Sequence, residues 1–126
     1  MGSKFKLWVS CTVYFILRLA WIDVNGTTYK KGSVVVLSMD LTPTFGVVKD
    51  IIVFETDIYY LVCEVLLTDC FSHHFHAFKT CKQHPASYDI CKQTDLYDHA
   101  VLSAYTILSQ PNFLFIPLKY QLVERV

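Results

Sequence analysis

The chain has 126 residues, with 11 basic and 11 acidic side chains, 53% hydrophobic residues and 17% charged ones. Mean hydropathy is +0.36. This length fits one domain and excludes a multidomain enzyme. The apolar content excludes disorder as the main state, and the charge balance excludes strong nucleic-acid binding through a basic surface.

Residues 1–21 stand apart as an apolar N-terminal segment. Lys4 and Lys6 precede an apolar run from Leu7 to Leu17, which reads as signal-like or as an added extension. Arg18 interrupts the run before the ~20 apolar residues that cross a bilayer, so any membrane contact is expected through this segment alone. The run either pairs onto the sheet, forms a helix or is removed. Asn25-Gly26-Thr27 is a glycosylation sequon, usable only in the secretory pathway. Against secretion or tethering, Cys11, Cys63, Cys70, Cys81 and Cys91 are odd in number and irregularly spaced, a poor disulfide framework. An intracellular location, nucleus or cytoplasm, is the favoured expectation.

Residues 22–126 read as one small β-barrel-like domain. Asn25-Gly26 between Trp21–Val24 and Thr27–Tyr29 predicts a hairpin with a two-residue type I′ turn, because both turn residues need positive φ. Ser33 to Met39 is β-branched and predicts a buried strand. Pro43 and Gly46 mark Leu41–Gly46 as a loop. Strands follow at Val47–Phe54 and Ile58–Leu67, paired antiparallel across a short polar turn. A fourth strand is expected from His73 to Thr80, with His74, His76 and Phe78 on one face. Gln83–Lys92, with Pro85, reads as loop. Leu96, Ala100, Val101, Ala104, Tyr105 and Leu108 fall at helical spacing, predicting one short helix over Asp95–Leu108 before the last strand. That strand is expected over Phe113–Val123, with Pro117 at an edge or bulge. The predicted fold class is mainly β: a small antiparallel sheet curled into a partly open, SH3-like barrel with one short helix.

From Val24 onward several pieces of the chain form a pattern: Gly26-Thr27-x-Tyr29-Lys30-x-Gly32, Pro43-x-Phe45-Gly46-x-Val48-x-x-Ile51, Tyr59-Tyr60, and Phe71-x-x-His74-Phe75-His76-Ala77-Phe78. Leu96-Tyr97-Asp98, Leu102-x-x-Tyr105 and Leu118-Lys119-Tyr120 continue it. In these the chain resembles an uncharacterised C-terminal β-rich module of vertebrate, especially fish, mobile-element-like proteins. The resemblance implies a fold type and carries no activity.

Two sets of residues are candidates for a site. Cys70-x-x-His73 and Cys81-x-x-His84 give the two Cys and two His that tetrahedral zinc accepts, but they flank a predicted strand whose ~3.3 Å rise per residue holds them apart. Zinc is therefore the alternative, and no cofactor is the leading expectation. Tyr29, Phe45, Tyr59, Tyr60 and Tyr120 could line a groove for a peptide or a methylated lysine, or fill the core. No phosphate loop or nucleophile elbow appears in the sequence. The functional expectation is a non-catalytic protein-interaction or adaptor module with a protein or peptide partner. Its alternatives are a zinc-stabilised binding module and a small secreted or membrane-tethered domain.

Overall fold

The computed structural model describes residues 5–9, 15–54 and 58–117, most of them in strands. The described residues of the N-terminal run lie in strands that pair onto the sheet. Strand β1 (Phe5–Val9) pairs with β2 (Phe15–Leu19), and β2 pairs with β6 (Pro43–Phe54). Strands β3 (Trp21–Val24) and β4 (Thr27–Lys30) form the expected hairpin, with Val24 facing Thr27. Asn25 at φ 52° and Gly26 at φ 86° make its turn. The Asp23 carboxylate accepts from the Gly26 N–H at 3.0 Å and from the Thr28 hydroxyl at 3.3 Å, so one side chain holds both arms.

The main sheet is antiparallel and curled, with almost no helix. Strand β5 (Val34–Met39) pairs with the first half of β6, and β2 continues along its second half. The loop expected at Leu41–Gly46 is strand from Pro43 onward. Pairing of Pro43, Thr44, Phe45 and Gly46 with β5 outweighs the local proline and glycine signals. Strand β7 (Tyr59–Ser72) runs past the expected end at Leu67 and pairs with β6 on one side. On its other side lie β8 (Ala77–Lys82) and then β9 (Tyr88–Lys92). The segment expected to be loop thus holds a strand, with its loop confined to Gln83–Ser87. Gln83 donates to the Val65 carbonyl at 3.3 Å, and the Val65 N–H donates to the Ser87 carbonyl at 2.8 Å, which fastens that interruption to β7.

Two further expectations are corrected. His73–His76 is the β7–β8 turn and not the start of a strand. His76 has φ 53°, and the Ser72 hydroxyl accepts from the Phe75 N–H at 3.3 Å, closing the turn. Residues 95–108 are not a helix. They form β10 (Asp98–Leu102) and β11 (Tyr105–Ile107) after one 3₁₀ turn at Gln93–Asp95. Strand β10 pairs with β5, whereas β11 pairs with β12 (Gln110–Pro117), which in turn pairs with β8. The two-residue joint Ser103–Ala104 therefore ties one margin of the curled sheet to the other. Beyond Pro117 the expected last strand lies outside the described residues. Among the described residues no helix is long and apolar enough to cross a membrane.

Alternation along the strands divides the core in two. Val35, Val48, Ile51, Leu61 and Cys63 point to one face, where Ile22 and Tyr29 of the β3–β4 hairpin and Leu96 cover them. Val34, Val36, Phe45, Leu66 and Ile116 point into the curl, joined by Phe78, Leu102, Ala104 and Leu114. Gly46 makes room in the outer layer for its neighbours on β5 and β7: a Cβ there would lie 2.8 Å from Leu37 Cδ1 and 3.0 Å from Cys63 Cβ. Gly46→Val is expected to destabilise the protein by about 1–3 kcal/mol through overpacking. Chemical denaturation checks this. A variant as stable as the parent would show that Leu37 and Cys63 give way freely.

Candidate functional site

The curl forms a half-open cavity of about 1000 Å³. Seven strands line it: Val34 from β5, Val47 and Lys49 from β6, Glu64 and Leu66 from β7, Lys82 from β8, Leu102 from β10, Thr106 from β11 and Leu114 from β12. Ala104, in the joint between β10 and β11, also faces it. The walls are mostly aliphatic because they are the inward positions of alternating strands. Such concave, largely apolar sites with a few polar groups are the usual form of a binding pocket.

The polar groups are distributed unevenly. The Glu64 side chain is 6% exposed and its Oε1 lies 3.3 Å from Lys49 Nζ, while Lys49 is 43% exposed. A carboxylate this buried needs a partner, and Lys49 supplies it from the neighbouring strand. Lys82 and His84 lie across β7 from Lys49 and are exposed at the cavity rim. Among the described residues no carboxylate lies within ion-pair distance of Lys82. The site therefore carries an excess of positive charge above an aliphatic floor. Glu64 is also the cross-strand partner of Tyr88, and Tyr88 and Ile90 on β9 are 59% and 60% exposed. Apolar surface thus continues from the cavity onto an exposed strand.

The sequence-predicted aromatic set is divided by the fold. Tyr29 is fully buried in the outer core layer, where its hydroxyl donates to the His99 carbonyl and accepts from Gln93 Nε2 at 3.0 Å. Tyr59 is half-buried against the same layer. Phe45 is buried inside the curl, its ring 5.6 Å from that of Phe78. Tyr60 follows Tyr59 in β7, turns to the opposite face and is half-buried opposite Lys92 and Ile52. Tyr120 lies outside the described residues. The four described aromatics do not share one open pocket.

The Cys/His set is likewise spread along β8. Cys70 is exposed, its thiol 3.8 Å from an Asp69 carboxylate oxygen, and His73 is exposed in the β7–β8 turn, edge-on to Phe71. Cys81 and His84 both line the cavity, at the far end of β8. Six strand residues separate His73 from His84, about 20 Å at the usual rise. Among the described residues no three His, Cys, Asp or Glu side chains gather as metal ligands. Lys79 is half-buried with its ammonium 4.1 Å from the centre of the Phe113 ring.

Lys49, Glu64 and Lys82 escaped sequence reasoning as a set because they come from three strands. One local signal existed: Glu64 is a lone charge inside the run Leu61–Leu67, and a charge in a buried strand needs a partner.

Two titratable features lie outside the cavity. Cys63 and Cys91 share the outer core face on adjacent strands, and the hydrogen bond between their thiols raises the pKa of Cys63 and lowers that of Cys91. Burial raises the Tyr29 pKa above its ordinary 10.0, with the Gln93 hydrogen bond opposing and Asp98 adding to the rise. The native state then holds the Tyr29 proton more tightly than the unfolded chain. The stabilisation is complete below about pH 10 and is lost as pH rises towards the folded value, because the unfolded chain ionises first. Urea midpoints measured between about pH 9 and 11 should fall more steeply for the parent than for Tyr29→Phe. Equal slopes would show that Tyr29 ionises as freely in the native protein as in the unfolded chain.

Comparison with protein-family models, curated proteins and solved structures gives no match.

Proposed function

We propose that the chain is a non-catalytic protein-interaction module, SH3-like in the way it works, which holds an extended segment of a partner protein in the mouth of its curled sheet. The observation that supports this reading is the half-open cavity of about 1000 Å³, walled by side chains from β5, β6, β7, β8, β10, β11 and β12. Its continuation onto exposed Tyr88 and Ile90 favours a ligand longer than the cavity itself. Among the described residues β9 pairs with β7 alone, so its second edge offers backbone groups to an added extended chain. In this reading the protein works inside the cell, where Cys63 and Cys91 remain thiols.

The test is selection from a phage-displayed random peptide library on the folded full chain. Enriched peptides are expected to bind the parent and to bind Ala104→Trp, which fills the cavity, at least about tenfold more weakly. Thr106→Trp serves as a second plug if the first fails to fold, with thermal melts to check both. No enrichment, or equal binding to parent and plugged protein, would overturn the proposal.

A further inference from the structure

Resting on that reading, we infer that the segment held in the cavity is acidic: an extended peptide with aliphatic side chains on one face and a carboxylate seated against Lys82 and His84. Charge and shape together lead to this occupant. The aliphatic floor of Val34, Leu66, Leu102 and Leu114 gains from burying apolar side chains. The one carboxylate in the cavity, Glu64, is already held by Lys49 at 3.3 Å. Lys82 sits opposite Leu66 on the adjacent strand, so its ammonium stands beside the apolar floor, and no carboxylate of the described residues pairs with it. His84 adds a ring N–H on the same side. A neutral peptide would gain nothing from that ammonium, and a basic one would be repelled by it. An acidic one completes a charge-assisted hydrogen bond. The alternation of a strand places its aliphatic and acidic residues on opposite faces, which matches a floor and a rim.

The probes are three fluorescein-labelled octapeptides of alternating sequence, with leucine at every second position and Glu, Gln or Lys between, titrated by fluorescence anisotropy. Decanoate serves as a small amphiphilic anion for comparison. The Glu peptide is expected to bind, to weaken as salt screens the contact, and to lose about tenfold in affinity with Lys82→Glu. Lys82→Gln should lie between the parent and Lys82→Glu, and thermal melts establish that both variants fold. If the Gln or Lys peptide binds as tightly as the Glu peptide, and Ala104→Trp abolishes that binding, the cavity reading survives and the acidic assignment is overturned. Decanoate binding through Lys82 without binding of the Glu peptide would also overturn it, in favour of a free amphiphile. If none of the peptides binds, both readings fall.

Discussion

Truncating Tyr29 to alanine is expected to destabilise the protein by about 3–5 kcal/mol. Two losses combine. The ring is fully buried beneath Ile22 and against Val35, Val48 and Leu61, so its removal leaves a cavity where the β3–β4 hairpin rests on the main sheet. The hydroxyl also joins three segments, since it donates to the carbonyl of His99 in β10 and accepts from Gln93 in the 3₁₀ turn. Gln93 is itself buried, and an amide left without a partner there costs about 1–3 kcal/mol. Tyr29→Phe separates the two, retaining the ring and losing only the bonds. Urea denaturation of the pair measures both. Near-equal stability of the parent and Tyr29→Ala would mean that the hairpin does not rest on this face.

Phe45→Ala is expected to cost a similar amount, about 3–5 kcal/mol, for a different reason. Phe45 makes no hydrogen bond through its side chain, and its contribution is packing inside the curl. Its ring meets Phe78, which in turn meets Phe71 at 5.0 Å between centroids in an edge arrangement. The chain of rings spans β6, β8 and β7, and Phe45 and Phe78 pack in the same cluster as Val34, Leu66, Leu102 and Leu114 of the cavity wall. The melting temperature should fall, and bound peptide should not restore it to the parent value. A variant that melts like the parent but loses peptide binding would instead make Phe45 a ligand contact.

The turn at Asn25-Gly26 was legible because its signal is local: two positive φ values need those residue types, whatever surrounds them. The strand at Val34–Met39 was legible from its β-branched run. The segment 95–108 misled for a physical reason. Val101 faces the outer core layer, while Leu102, Ala104 and Thr106 keep a two-residue period on the cavity side through the joint into β11. Apolar side chains fall on both faces of this segment, so positions such as Val101, Ala104, Tyr105 and Leu108 come at intervals of three and four and looked helical. The strand extensions at Pro43–Gly46 and Thr68–Ser72 are set by pairing partners distant in sequence, which no window along the chain contains. The same holds for the cavity. Breaks in register between Val48 and Asp50 and between Thr68 and Cys70 help decide which faces of β6 and β7 turn inward. The histidines at 73, 74 and 76 drew attention by their composition, yet they form a turn.

The link that residues 98–107 make between the two margins of the curled sheet carries the rest, since it bounds one side of the open cavity. Nuclear Overhauser contacts between backbone protons in the isotope-labelled full chain test it most directly. Cross-strand contacts are expected between Leu102 and Val34 and, in the same molecule, between Tyr105 and Phe115. Consecutive amide-to-amide contacts running through residues 95–108 would show a helix there, leave the two margins of the sheet unconnected and contradict the account.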